Sequence, residues 1–130
     1  MKVAIIAHDN KKADMVAFVM KRMDFFKRKD IELVATGTTG KHIEHSGLTV
    51  TCLKSGPMGG DAQIASLLVD GNIDAVFFFI DPLYSHPHEV DIHMLMRLCN
   101  VYDIPLATNY TTSKLLVDAL SIETIGNTIV

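Results

Sequence analysis

One stretch of the sequence has the residue types to hold an anion and move a proton beside it: Ser55-Gly56-Pro57-Met58-Gly59-Gly60-Asp61. Glycines let backbone N–H groups close on an oxyanion with no Cβ in the way. A helix beginning near Asp61 would turn its positive end toward the same place. The stretch therefore offers a phosphate cradle with a carboxylate at its lip. An anion site ordinarily excludes a carboxylate, because like charges repel. Two readings of Asp61 stand side by side: a base doing proton chemistry next to the phosphate, or the N-cap of the helix.

A second candidate is Thr36-Gly37-Thr38-Thr39, with three hydroxyls and several N–H groups at a strand-to-helix turn. It lacks the GxxxxGK[ST] spacing of a P-loop, yet it can wrap a phosphate without a Walker lysine. Thr and Gly also serve a plain helix cap and turn. The pairing with Ser55-Gly56 at another strand end favours the phosphate reading. Lys12, about one helical turn beyond His8 and Asp9, could direct its ammonium to the same anion or be solvated, as Lys11 is expected to be. His8 ends an apolar run, either as a satisfied polar ring or as a proton carrier.

In His86-Pro87-His88, an imidazole could exchange a proton near neutral pH. His86, His88, Asp91 and His93 form a dense set of possible metal ligands. Pro87 restricts their approach and the spacing is not the regular helical one of HExxH, so no metal is expected. Asp91 can cap a helix, orient an imidazole, or both. Asp81 ends an apolar run before Pro82, where it can order the loop, and His93 reads as helix surface.

Strands must deliver these residues. Residues 2–7 read as a buried strand, and 11–27 as a helix with Met15, Phe18, Val19, Met23 and Phe26 on one face and Asp9 or Asn10 as cap. Residues 31–35 and 49–53 read as further strands around a short helix over 39–46 that stops at Gly47. A helix over 61–70 ends at Gly71, and 73–80 is a nearly continuous apolar strand of central type. A helix over 91–102, a strand over 104–108, a helix over 112–120 and a short terminal strand over 128–130 complete the reading. Alternation of this kind predicts an α/β fold: an open, mostly parallel five-stranded sheet with helices on both faces. Ligands of such sheets bind at the carboxyl ends of the strands. His8, Asp9, Thr36 to Thr39, Ser55 to Asp61, Asp81 and His88 all follow strand ends, so the fold would gather them on one rim.

A length of 130 residues, 48% of them hydrophobic, suits a single domain over 1–130. The balance of 12 Lys+Arg against 15 Asp+Glu argues against a nucleic-acid surface. Cys52 and Cys99 have no CxxC spacing and lie in apolar runs, which predicts buried free thiols in a reducing compartment. With no signal peptide and no apolar run near 18 residues, a cytoplasmic protein off the membrane is expected.

Taken together, Ala7-His8-Asp9, Ala35-Thr36-Gly37-Thr38-Thr39-Gly40, the Ser55–Asp61 stretch, Asp81-Pro82-Leu83, Pro87-His88 and Pro105-Leu106-Ala107-Thr108-Asn109 resemble the signatures of the methylglyoxal synthases, in order and in spacing, over residues 2–115. The resemblance implies a flavodoxin-like three-layer sandwich and a homo-oligomer, typically a hexamer. It implies conversion of dihydroxyacetone phosphate to methylglyoxal and inorganic phosphate without metal or organic cofactor. By resemblance, Asp61 matches the catalytic base and His88 the histidine on the substrate oxygens. His8, Lys12, Thr36, Gly37, Thr38, Thr39, Ser55 and Gly56 match substrate and phosphate contacts, and Asp9 and Asp91 supporting acids. His86 stands where a small or polar residue is usual. No arginine follows Arg97, so the C-terminal arginine that some members send into a neighbouring site has no counterpart. A rival is a non-catalytic effector-binding module, as in the allosteric domains of carbamoyl phosphate synthetase; Asp61 together with His88 favours the enzyme. A receiver-type signalling domain is set aside, because the third strand ends in Leu53-Lys54 rather than in a phospho-acceptor aspartate.

Overall fold

The structure, a computed structural model, describes the backbone of residues 1–83 and 89–129 and the side chains of residues 1–83 and 91–122. Strand β1 (Lys2–Ala7) is followed by a 3-10 turn (Asp9–Lys11), α1 (Lys12–Lys21) and the single-turn α2 (Met23–Phe26). Then come β2 (Glu32–Ala35), α3 (Gly37–His45), β3 (Val50–Cys52), a second 3-10 turn (Gly56–Met58), α4 (Gly60–Val69) and β4 (Ala75–Phe79). Helix α5 (Glu89–Val101), β5 (Leu106–Ala107) and α6 (Tyr110–Ile129) complete the chain.

The five strands pair in parallel in the order β3-β2-β1-β4-β5. This is the expected open α/β sheet. The flavodoxin order is 2-1-3-4-5, so the likeness to flavodoxin lies in the layering and not in the strand order. Alternation along β4 builds both faces. Ala75, Phe77 and Phe79 join α1, α3 and α6 through Met15, Phe18, Ile43 and Val117. Val76 and Phe78 join α4 and α5 through Ile64, Leu68, Leu95 and Cys99. Strands buried on both faces must be apolar throughout, which is why the run before Asp81 reads as it does. Phe18 anchors the first face, with Phe26, Phe77 and Phe79 rings centred 5.7–5.9 Å away.

Four local expectations give way. The helix expected over 11–27 breaks at Arg22, whose guanidinium donates to Asp118 of α6 at 2.7 Å. Neither Asp9 nor Asn10 caps it; the chain enters through the 3-10 turn, and no side chain bonds the helix start. The terminal strand is absent, because α6 continues to Ile129. Cys52 is exposed on the edge strand β3, its thiol directed at the Glu44 carboxylate, whereas Cys99 is buried as expected. Burial pushes the Cys99 thiol up to about 11, which leaves it almost wholly protonated near neutral pH. An alkylating reagent on the native protein should therefore label Cys52 and spare Cys99, with the second label appearing only on denaturation; rapid labelling of Cys99 in the native state would contradict this packing. Among the described residues no helix is long and apolar enough to cross a membrane.

Candidate active site

The strand order reverses between β1 and β4, and there the chain opens a cleft of about 260 Å³. Such reversal points leave a crevice at the carboxyl ends of the strands. Four strand ends supply its walls: Ile6 to Asn10 and Lys12 from the end of β1 and the segment after it, Thr36 and Gly37 after β2, Ser55 to Pro57 after β3, and Phe78 of β4 with Asp81 just beyond it. Asp61, from α4, completes it. The residues that the sequence scatters over more than 70 positions thus meet on one rim.

The backbone explains why Asp61 faces inward. Gly59, at φ +108°, is the residue before α4, and Gly60 opens the helix. The Gly60 N–H donates to the Ser55 carbonyl at 2.8 Å, and a Cβ at Gly60 would stand 2.0 Å from the Lys54 carbonyl oxygen. Only glycine lets the helix start this close to the end of β3. The Gln63 side chain binds back to the Lys54 N–H at 2.9 Å, tying the same two elements. Asp61 is therefore the second residue of α4 and not its N-cap, and only 1% of it is exposed. Its carboxylate sits where the unpaired N–H groups of a helix start favour negative charge.

Lys12 and Lys11 separate clearly. The Lys12 ammonium donates to the Thr38 hydroxyl at 2.8 Å and pairs with Asp9 at 2.9 Å, and Lys12 lines the cleft. Lys11 instead lines a second cavity, beside Thr108 and Tyr110. Asp9 has its side chain 93% exposed, so its pair with Lys12 orients the ammonium more than it adds stability. Thr36 is buried on the cleft wall, and Thr38 touches the site through Lys12. Thr39 is fully buried and does not line the cleft; what it can offer is its N–H in the first turn of α3.

His8 is buried, edge-on to Phe78 at 5.2 Å between ring centres. Its Nδ1 accepts the Asp81 N–H at 2.9 Å. A ring nitrogen that accepts carries no hydrogen, so the imidazole is held in the tautomer with its hydrogen on Nε2. Asp81 also accepts the Leu83 N–H at 3.1 Å, ordering the start of the loop as its position before Pro82 suggested. His86 and His88 lie outside the described residues. Asp91 is exposed in the first turn of α5 and does not line the cleft; His93 is exposed. No group of three or more His, Cys, Asp or Glu among the described residues is placed to hold a metal ion. Sequence reasoning missed Asn10 and Gln63, since each acts on a partner that no local pattern announces.

The site can seat an anion between Lys12, the threonine turn and Ser55-Gly56, with a buried carboxylate and an N–H-bearing imidazole alongside. Comparison with known proteins points the same way. The family model described as MGS-like domain matches residues 14–108. A methylglyoxal synthase of Carboxydothermus hydrogenoformans is 52% identical over 122 residues, covering 93% of this chain and 99% of that protein. A methylglyoxal synthase of Borreliella afzelii is 52% identical, covering 92% of this chain and 93% of that one. The crystal structure of methylglyoxal synthase from Elizabethkingia anophelis superposes with a TM-score of 0.82 at 40% identity, covering 89% of this chain and 76% of that chain. Likeness of this extent, in sequence and in backbone, means that the chain belongs to the methylglyoxal synthase family.

Proposed function

We infer that the protein is a methylglyoxal synthase, a lyase that converts dihydroxyacetone phosphate to methylglyoxal and inorganic phosphate. One observation carries the mechanism: a buried carboxylate, Asp61, shares a cleft with Lys12, Thr36, Ser55 and Gly56. A site that only bound an anion would lose affinity through that carboxylate. A site that must ionise a C–H bond beside the anion needs it.

The Thr36–Thr39 turn, Ser55, Gly56 and Lys12 hold the phosphate. Asp9 steadies Lys12. Asp61 takes a proton from the hydroxymethyl carbon, and the C–H electron pair becomes a C=C bond as the carbonyl oxygen accepts a proton. His8, through Nε2–H, and His88 steady charge on the two oxygens and pass protons between them; Asp91 supports His88. The terminal oxygen then releases its proton and re-forms a carbonyl. The double bond moves toward the phosphate-bearing carbon, and the C–O bond breaks with its electron pair on phosphate. The released 2-hydroxypropenal gains a proton at its methylene carbon and loses its enol proton, giving methylglyoxal. Elimination requires the C–O bond to stand perpendicular to the enediolate plane, so that its σ* orbital overlaps the π system. Holding the bridging oxygen out of plane is the task of the two glycine-bearing turns.

The chain acts as one domain over residues 1–130, in the cytoplasm, as a homo-oligomer of hexameric order, with neither metal nor organic cofactor. Mixing the protein with dihydroxyacetone phosphate should yield methylglyoxal and phosphate in equal amounts in a colorimetric assay. Phosphate binding with no methylglyoxal formed would leave a binding module instead. Thr38→Ala removes the hydroxyl that accepts from Lys12. It should weaken phosphate binding by roughly tenfold, the scale of one charge-assisted hydrogen bond; an unchanged Kd in titration calorimetry would remove Thr38 from the anion seat.

A further inference from the structure

Asn10 follows the end of β1, where a polar residue reads as a helix cap, yet its side chain bonds no helix start. Its Nδ2 crosses to the end of β4 and donates to Asp81 Oδ2 at 3.0 Å. The other carboxylate oxygen of Asp81 accepts the Leu83 N–H, and the Asp81 N–H donates to His8 Nδ1. Asp81 is thus gripped through both of its oxygens while its own amide faces the imidazole. The ring cannot swing away to compensate, because it is buried against Phe78 and the His8 backbone N–H donates to the Phe79 carbonyl at 3.1 Å, which fixes the main chain that carries the ring.

We propose that Asn10 is a positioning residue that, through Asp81, keeps His8 in the tautomer with its hydrogen on Nε2. This rests on the methylglyoxal synthase reading for its purpose, though not for its geometry. The reaction needs a donor at the substrate carbonyl as the C–H proton leaves. In the other tautomer Nε2 would be an acceptor, and two lone pairs would face each other across the contact. The Asp81 peptide fixes the choice only if its N–H stays aimed at Nδ1, and the Asn10 amide helps hold that peptide in place. Small errors of aim in such a contact cost rate rather than affinity, because the carbonyl hydrogen bond strengthens as negative charge develops on the oxygen.

The test is the imidazole 15N spectrum of the ligand-free protein, with His8 assigned by its absence in His8→Gln, together with steady-state kinetics. The native protein should show His8 with its hydrogen on Nε2 alone. In Asn10→Ala the His8 signals should move toward a mixture of tautomers, with kcat lowered by about tenfold and KM within about twofold of the native value; Asn10→Gln should recover part of both. Asp81→Asn, which can place a donor against the Asn10 donor without changing shape, should repeat the spectral change if Asn10→Ala does not fold. An unchanged His8 spectrum in a folded variant overturns the proposal, as does a rise in KM with kcat intact, which would make Asn10 a substrate contact. Because the spectrum needs no substrate, a protein inactive on dihydroxyacetone phosphate that nevertheless shifts on Asn10→Ala would sink the reading of the activity while sustaining the positioning role.

Discussion

Asp61→Asn should lower turnover by about 10²- to 10⁴-fold, the scale of lost general-base catalysis, in a protein that still folds. The amide keeps the shape of the carboxylate but cannot take a proton from carbon. Asp61 is almost wholly shielded from water as the second residue of α4. Loss of its charge from the helix start should cost about 0.3–1 kcal/mol of stability, a small effect beside the kinetic one. Affinity for inorganic phosphate should hold or rise, because the like charge beside the anion is gone. This pairing of lost turnover with retained binding separates a base from a structural carboxylate. Near-normal turnover would discard Asp61 as the base, and loss of both turnover and phosphate binding would make it a structural group. The measurements are kcat for methylglyoxal release and a phosphate Kd.

Gly60→Ala should be the most damaging small substitution near the site. Its Cβ would fall 2.0 Å from the Lys54 carbonyl oxygen and 2.9 Å from both the Lys54 carbonyl carbon and the Ser55 carbonyl oxygen. These are backbone atoms at the end of β3 and cannot rotate aside. The start of α4 must move instead, carrying Asp61 with it. Overpacking of this kind costs about 1–3 kcal/mol or more. A displacement near 1 Å at a reacting group can cost about 10²-fold in rate. Gly59→Ala is the control: its left-handed backbone is strained for alanine by roughly 1–2 kcal/mol, but nothing stands within 4 Å of the new Cβ. Thermal melts and kcat for the two variants should rank Gly60→Ala well below Gly59→Ala in both. Equal behaviour would show that the glycine pair serves backbone freedom alone and not the close approach of α4 to β3.

The rim was legible because its cause is general. A short apolar run such as 73–80, rich in β-branched and aromatic residues, reads as a central strand, and parallel strands deliver their carboxyl ends to one side, so polar residues after each run are brought together. The sequence admits Asp61 as base or as cap because Gly59 and Gly60 cannot be told apart as helix boundary without the backbone; one residue of register decides it. Lys12 was separated from Lys11 only weakly in sequence for the same reason, since a 3-10 entry rather than a capped α-turn sets which of them points at Thr38. Arg22, where the first helix breaks, bonds Asp118, 96 positions away, and Asn10 bonds Asp81, 71 positions away. Pattern and propensity carry no information at that range. Cys52 departs from its expected burial because a three-residue edge strand exposes residues that sit among apolar neighbours.

The most direct test is a crystal structure with a hydroxamate mimic of the enediolate in the cleft, since it reports anion seat and base together. The predicted complex has the phosphate against Lys12, Ser55, Gly56 and the Thr36–Thr39 turn, with an Asp61 carboxylate oxygen about 3–3.5 Å from the atom that stands for the reacting carbon. A complex with the phosphate elsewhere, or with the Asp61 oxygens turned from that atom, would contradict the account.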